Sequence, residues 1–221
     1  MIDINNNIQQ TTLTQSISIN GIGLHSGIKV SMKLIPAEAD FGIKFIRTDL
    51  SINNTVEALW SNVTNTKLST TISNNEGVSI STIEHLMSAL SGLHIDNVKI
   101  EIDGPEVPIM DGSSKEFVNL IESVPLKNLD KKRKIIKIKK NIKVINDNSS
   151  VELKPNKQFS IDFEIDFPSK LISKQSCQLQ LINGNYKSDI ASARTFGFEK
   201  DVDTLRSNGL ALGGSLDNAV V

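Results

Sequence analysis

The chain has 221 residues, and its 24 basic and 25 acidic side chains leave a net charge of −1, which excludes a strong overall attraction to nucleic acid or to an anionic membrane. A content of 38% hydrophobic and 22% charged residues is typical of a globular protein, in one large or two small domains. No apolar run can span a bilayer, the polar start "MIDINNNIQQ" lacks a signal-peptide core, and the single cysteine, Cys177, cannot form an internal disulfide. We therefore expect a cytoplasmic protein without a membrane span.

The first half of the chain predicts strands followed by helices. The string "GIKVSMKLIPAEADFGIKFIRTDL" (27–50) is typical of strand, turn and strand. A helix is predicted at 82–93, then a strand "NVKIEI", and then a second helix at 114–124, which Ser113 and Glu116 would cap. This order predicts a two-layer α+β sandwich, in which helices cover one face of a sheet.

The start of the first predicted helix, "STIEHLMSAL" (81–90), allows two interpretations of Glu84 and His85. Ser81 followed three residues later by Glu84 is the pattern of a capping box, in which both side chains bind free amides of the first turn. In that interpretation Glu84 is structural. In the other, the helix dipole favours an ionised carboxylate that acts as a general base, and the histidine binds a metal ion. The residues alone leave both interpretations open.

The second half repeats this layout. In "FSIDFEIDF", strict alternation predicts a strand with one buried face and one solvated face. The polar segment 125–134 is typical of a linker, which gives a first domain at 1–128 and a second at 129–221. The lysines of "IIKIKKNIKVI" (135–145) are interpreted as the solvated face of a strand opposite the acidic residues of 160–166.

Five strings, in one order and spanning nearly the whole chain, carry a resemblance: "GIGLHSG" (21–27), "STIEHLMSALSGLHIDN" (81–97), "EVPIMDGSS" (106–114), "SARTFGF" (192–198) and "GLALGGSLDNAVV" (209–221). Together they resemble the UDP-3-O-acyl-N-acetylglucosamine deacetylase family, the zinc amidases of lipid A synthesis. The resemblance implies an α+β fold of two related two-layer β-α-α-β sandwiches with the active site between their helical layers. It implies hydrolysis of the N-acetyl group of a UDP-linked acyl amino sugar, which is the committed step of lipid A and lipopolysaccharide synthesis.

The resemblance also implies catalytic roles. His85 matches the family's first Zn²⁺ ligand, and Glu84 matches the general base that deprotonates the attacking water. Thr195, in "SARTFGF", matches the threonine that helps to stabilise the oxyanion, a role that suits a hydroxyl donor. Without the resemblance, Thr195 would be interpreted as a threonine that binds its own backbone.

Further matches concern the substrate. Leu68 and Ser69 match positions beside the acetyl group and the metal, although many family members have cysteine where Ser69 stands. Phe167 matches an aromatic residue that contacts uridine, and His25 matches a histidine near the cleft, although it is equally typical of a turn. The positions that match an apolar passage for the fatty acyl chain are Phe196, Gly214 and Ser215.

The main departure from the family concerns the zinc ligands. A catalytic zinc usually has three protein ligands and a water, and the family supplies the other two from a His-x-x-x-Asp helix in its second half. The remaining histidines of this chain, His25 and His94, lie in the first half, and neither begins such a motif. We therefore interpret the chain, which stops at Val221, as truncated in its second sandwich. We expect it to lack the family's proton-donor histidine and to be inactive alone.

Two other functional classes stay open. The first is a non-catalytic nucleotide- or RNA-binding module, with the basic run at 131–140 as its contact surface, although the balanced charge disfavours nucleic acid. The second is a decayed, inactive fragment of the deacetylase with a structural role. No oligomeric state is predicted.

Overall fold

The computed structural model describes residues 9–170, 172–181 and 184–220. It is a mixed α+β structure with several sheets and few helices. The described residues form two compact units, a larger one of residues 9–133 and 187–220 and a smaller one within residues 134–186. Within the described ranges, no helix is long and apolar enough to cross a membrane. The domain bounds expected from the sequence, 1–128 and 129–221, stay predictions.

The larger unit holds most of the regular structure. Its strands are β1 (Gln9–Leu13), β2 (Ile17–Ile22), β3 (Lys29–Pro36), β4 (Ile43–Arg47), β5 (Thr55–Glu57), β6 (Val63–Asn65), β7 (Thr71–Ser73), β8 (Ser79–Ile80), β9 (Val98–Ile102) and β10 (Leu126–Lys132). The helices described along the chain are α1 (Glu84–Gly92), α2 (Lys115–Glu122), the one-turn α3 (Tyr186–Asp189) and α4 (Glu199–Ser207), with a 3₁₀ turn at Trp60–Asn62.

Five strands form the main sheet, in the order β2-β3-β9-β4-β5. The β4–β9 pair is parallel, and the other three pairs are antiparallel. One cross-strand row of side chains, each at most 6% exposed, consists of Ile17, Leu34, Ile100, Phe45 and Val56. Each such burial stabilises the fold by roughly 1.5–3 kcal/mol. The two strands predicted within 27–50 are thus confirmed as β3 and β4, with β9 between them.

Helices α1 and α2 contact each other, and both helices predicted for the first half of the chain are confirmed. Their buried residues are Leu86, Ala89 and Leu90 in α1 and Phe117, Val118 and Ile121 in α2. The predicted capping box at the start of α2 is wrong, because the N-cap is Ser114, without a side-chain cap bond. Ser113 Oγ instead accepts the Lys115 amide at 3.1 Å.

Two smaller sheets border the main one. Strands β6, β7 and β8 form a three-stranded sheet, and β1 pairs with β10. The linker predicted at 125–134 is therefore wrong for most of its length, because Leu126 pairs with Leu13 and the side chain of Leu129 is buried. Sequence polarity marked this segment as a linker, whereas its backbone is bonded to the first described strand of the chain.

The smaller unit contains two antiparallel hairpins, β11 (Ile142–Asn146) with β12 (Ser149–Leu153) and β13 (Ser160–Asp166) with β14 (Lys174–Gln180). The prediction that the lysines of 135–145 face the acidic residues of 160–166 is wrong, because β11 pairs with β12 and the residues just before β11 are irregular. The predicted buried face of β13 is also wrong, since the side chain of Phe163 is 61% exposed. A two-stranded hairpin has no second layer of its own to cover its apolar face.

Candidate active site

The candidate active site is built around the start of α1. The Ser81 amide donates to the Pro105 carbonyl at 2.9 Å, and the Val107 amide donates to the Ser81 carbonyl at 3.0 Å. This strand-like pairing keeps the chain extended, so the helix begins only at Glu84, and its N-cap, Ile83, makes no side-chain cap bond. The predicted capping box is therefore wrong, and Ser81 Oγ instead donates to Pro105 O at 3.3 Å.

Glu84 and His85 are the first two residues of α1, and both are half-buried. Glu84 Oε2 accepts the Thr70 amide at 2.9 Å, whereas its Oε1 has no hydrogen-bond partner among the described residues. Burial lowers the pKa of His85, and the carboxylates of Glu84 and Asp111 raise it in part. A neutral imidazole is the form that binds a metal ion. The environment of His85 therefore favours the form that a ligand requires.

Thr195 is attached to the loop beside His85. Its amide donates to the Gly112 carbonyl at 2.8 Å, and Gly112 follows Asp111, whose carboxylate acts on the imidazole. Gly112 has a φ of +83°, and a Cβ there would lie 2.6 Å from the carbonyl oxygen of Asn218. Because a side chain would clash where the Gly112 loop approaches the Asn218 main chain, glycine is required at this position. The tertiary structure thus brings the predicted oxyanion residue to the loop next to the predicted metal ligand.

Leu68 and Ser69 precede Thr70, whose amide binds Glu84, so both lie near the start of α1. The side chain of Leu68 is 54% exposed, and Ser69 is half-buried. Leu68 also has a positive φ of 62°, which costs energy for a residue with a Cβ. Other non-glycine residues of these loops with positive φ are Thr82, Met110 and Ala211. Five further non-glycine residues of the described chain also have positive φ, among them Asp147 and Ser173 in the smaller unit, so this conformation is not confined to the site.

The imidazole of His25 joins two loops. Its Nδ1 accepts the Ala211 amide at 3.4 Å, and its Nε2 lies 3.3 Å from the carbonyl oxygen of Leu68. Both bonds form together when the proton is on Nε2. The His25 carbonyl also accepts the Leu212 amide at 3.2 Å. His25 therefore connects Leu68 to the loop "LALGGS".

That loop contains Gly214 and Ser215, two of the predicted acyl-chain positions. Gly214 is buried, and its carbonyl accepts a bond of 3.2 Å from Arg206 Nη2. The Ser215 amide donates to Asn218 Oδ1 at 2.8 Å. The loop is thus held by polar contacts of its backbone, and its role in binding the acyl chain stays a prediction.

The two phenylalanines predicted to bind substrate lie in different units. Phe196 is 37% exposed and contacts Phe198 edge to face, with ring centroids 5.7 Å apart. Phe167 is half-buried in the smaller unit, where its amide donates to the Ser173 carbonyl at 3.2 Å. The roles of both rings in substrate binding stay predictions.

The described residues do not form a complete zinc site. Among them, no group of three or more histidine, cysteine, aspartate or glutamate side chains is arranged to hold a metal ion. A catalytic zinc needs three protein ligands. His85 fits one of them by its burial and position, and the described part of the chain does not complete the set.

Two acidic residues without a role in the sequence interpretation belong to this site. Asp111 acts on His85, and Glu106 is 1% exposed and accepts bonds from the amides of His25 and Ser26. The sequence contained a signal for Glu106, because a single glutamate within the otherwise apolar string "PEVPIM" indicates a carboxylate that needs hydrogen-bond donors if the string is buried. Which donors it finds depends on the tertiary structure.

The α+β fold thus presents a half-buried glutamate and histidine side by side at the start of α1, a pair that suits a candidate hydrolytic site. Residues 10–221 match the family described as UDP-3-O-acyl N-acetylglycosamine deacetylase. A Syntrophus aciditrophicus protein is 46% identical over 212 residues, which are 96% of this chain and 67% of that protein. A Shewanella halifaxensis protein is 47% identical over 97% of this chain, and a Pseudoalteromonas atlantica protein is 47% identical over 96% of it. The match covers 71% of each of these two proteins. All three are named UDP-3-O-acyl-N-acetylglucosamine deacetylase. The chain therefore belongs to this deacetylase family, as the five strings predicted.

Proposed function

We propose that this chain supplies Glu84, His85 and Thr195 to a hydrolase that removes the N-acetyl group of UDP-3-O-acyl-N-acetylglucosamine and releases acetate in lipid A synthesis. The observation that carries the proposal is the half-buried Glu84–His85 pair at the start of α1, in a chain that belongs to the deacetylase family. Amide hydrolysis needs an acceptor for the proton of the attacking water and a donor for the oxyanion.

Glu84 is the proposed general base. The Thr70 amide fixes Oε2, so that Oε1 is oriented and open to accept a proton. Thr195 is the proposed donor to the oxyanion, because its hydroxyl is on a backbone held by Gly112. A donor fixed before the reaction stabilises the developing charge without reorganisation.

Substrate binding is proposed for three groups of residues. Leu68 and Ser69 contact the acetyl group, and the aromatic ring of Phe167 contacts uridine. The acyl chain lies along Phe196, Gly214 and Ser215, of which the partly exposed ring of Phe196 offers apolar surface.

Zn²⁺ enters the proposal only through His85. Since the described residues do not complete a zinc site, no step of the reaction is assigned to the ion. We propose that the 221-residue chain alone binds zinc weakly and does not turn over substrate, because a single ligand cannot replace a closed set. The finer fold is likewise a proposal: the hairpins of the smaller unit belong to a second sandwich related to the first.

The test uses a chimera in which this chain replaces the matching part of the Syntrophus aciditrophicus relative and the unmatched part of that relative is kept. We expect acetate release from UDP-3-O-acyl-N-acetylglucosamine by the chimera, and none by the 221-residue chain with equimolar zinc. A chimera that melts cooperatively but is inactive, under conditions where the relative itself is active, contradicts the proposed function. Zinc retained by the 221-residue chain during dialysis against a mild chelator contradicts the proposal of weak binding.

A further inference from the structure

Glu106 is a buried carboxylate without a cation beside it. Its side chain is 1% exposed, and no salt bridge to it is formed within the described ranges. A buried charge of this kind is costly unless hydrogen bonds replace its water shell. Three donors do so here, and they come from two different segments of the chain.

The first segment is the loop of residues 23–27. The His25 amide donates to Glu106 Oε1 at 2.9 Å, and the Ser26 amide donates to Oε2 at 2.8 Å. Gly23 closes this loop on the carboxylate, because a Cβ there would lie 2.4 Å from Oε2. Bonds from amides to a carboxylate are about twice as strong as neutral ones. Glu106 thus holds the loop that carries His25.

The second segment leads into α1. Thr82 Oγ1 donates to Glu106 Oε1 at 2.8 Å, and Thr82 is two residues before Glu84. Thr82 is buried and has a φ of +55°, an outlier for a β-branched residue, which persists only where the surroundings enforce it. The main-chain bonds between Ser81 and the residues on both sides of Glu106 support the same conformation.

We infer that Glu106 is a positioning residue, whose carboxylate joins the 23–27 loop to Thr82 and thereby fixes where α1 presents Glu84 and His85. The inference rests on the proposed function for its kinetic part, since Glu84 is the proposed base. The His25 ring extends the same connection to Leu68 and Ala211, so one carboxylate sets the relative position of four loops of the site.

Two substitutions separate this role from general stability. Glu106→Gln keeps the shape of the side chain but places an amide NH₂ against one of the donors. Thr82→Val keeps the β-branched shape and removes only the hydroxyl, whereas Thr82→Ser keeps the hydroxyl. Glu101→Gln is the matched control, because Glu101 is on the neighbouring β9 and pairs with Lys99 near the surface.

In the chimera, Thr82→Val is expected to lower kcat about 10- to 100-fold with KM within about threefold, because a small displacement of a reacting group costs this much. Glu106→Gln is expected to lower kcat by at least as much, because it also weakens the bonds to the 23–27 loop. Thr82→Ser and Glu101→Gln are expected to stay within about threefold of the parent. A Thr82→Val chimera with unchanged kcat overturns the inference. An equal loss of kcat in Glu101→Gln also overturns it.

The 221-residue chain provides a readout that does not depend on activity. In Glu106→Gln, amide hydrogen exchange is expected to accelerate by at least about tenfold at whichever of His25 and Ser26 faces the new NH₂ group, since that amide loses its acceptor. The other amide keeps a neutral oxygen acceptor and should accelerate less. The NMR amide signals of Glu84 and His85 are expected to shift in Glu106→Gln and Thr82→Val but not in Thr82→Ser. Unshifted Glu84 and His85 signals overturn the inference, whereas an inactive parent chimera with the expected NMR changes overturns only the proposed function.

Discussion

Glu84 has two carboxylate oxygens in different surroundings. Oε2 accepts the Thr70 amide, and Oε1 has no hydrogen-bond partner among the described residues. A glutamate that only capped α1 would bind the amides of its own helix. The observed bond instead runs to the segment that carries Leu68 and Ser69, so the carboxylate is oriented by a neighbouring loop.

The substitution Glu84→Gln separates the chemical role from the structural one. Glutamine keeps an acceptor for the Thr70 amide, so the free energy of unfolding should change by no more than about 1 kcal/mol. Because an amide cannot accept a proton from water, kcat of the chimera should fall by on the order of 10²- to 10⁴-fold. Thermal melts and steady-state kinetics decide, and near-normal turnover would remove Glu84 from the mechanism.

As a comparison, Ser81→Ala removes only its bond to Pro105 O and should cost about 1 kcal/mol with little effect on turnover.

Gly112 offers a second test at the residue scale. Gly112→Ala forces a Cβ to 2.6 Å from Asn218 O at a φ of +83°, whereas Gly42→Ala, at a φ of +73°, meets nothing within 4 Å. The control should therefore lose about 1–2 kcal/mol from the left-handed backbone alone. Gly112→Ala should lose a further 1–3 kcal/mol or so from steric overlap. Urea unfolding of both variants measures the difference, and equal losses would show that the contact with Asn218 relaxes freely.

The two main helices begin in different electrostatic environments. At α1, the first carboxylate is bound by an amide, whereas at α2 burial raises the pKa of Glu116 and the nearby Asp111 carboxylate raises it further. A helix N-terminus normally favours an ionised carboxylate. In the first turn of α2, burial and the repulsion by Asp111 instead raise the pKa of the glutamate.

This difference predicts a pH dependence for α2. A raised pKa means that the folded state favours protonated Glu116, so its contribution to stability is present below the ordinary glutamate value of 4.5 and is lost as pH rises through the folded-state value. Glu116→Gln removes this loss. The Tm of Glu116→Gln minus the Tm of the parent should therefore become larger as the pH rises from about 4 to about 7. A pH-independent Glu116→Gln effect would contradict the prediction.

At the scale of the whole molecule, apolar surface is distributed unevenly. In the larger unit, the row through Leu34 and Phe45 is fully buried, whereas in the smaller unit the cross-strand partners Val144 and Val151 are 65% and 69% exposed. The β13–β14 hairpin likewise exposes Phe163. Exposed apolar strand faces with free edges are sites of association.

We therefore expect the isolated chain to associate through the smaller unit. Sedimentation velocity should show an average mass that rises with concentration at micromolar levels. The double variant Val144→Lys/Phe163→Lys should reduce this association, because two charges interrupt both apolar faces. Ile52→Lys is the control, since Ile52 is 76% exposed but lies in the larger unit. A monomeric parent chain would contradict the prediction.

The sequence by itself determined the features that depend on near neighbours. Local sequence patterns predicted the strands β3, β4, β9 and β13 and the helices α1 and α2, with strict alternation in β13, and five strings predicted the deacetylase family. These signals are local because the spacing of side chains along a strand or a helix is fixed by its own backbone geometry. The same signals singled out Glu84 and His85.

Only the tertiary structure decided which residues meet. Nothing near Ser81 in the sequence shows that its main chain pairs with Pro105 and Val107, which delays the start of α1 and removes the capping box. The donors to Glu106 come from positions up to 81 residues away, so its role was invisible in the string "EVPIMDGSS". The tertiary structure also decided which apolar faces are buried, because alternation along a strand indicates an apolar face but not whether another layer covers it. For this reason the pattern of β13 was predicted correctly and its burial was not.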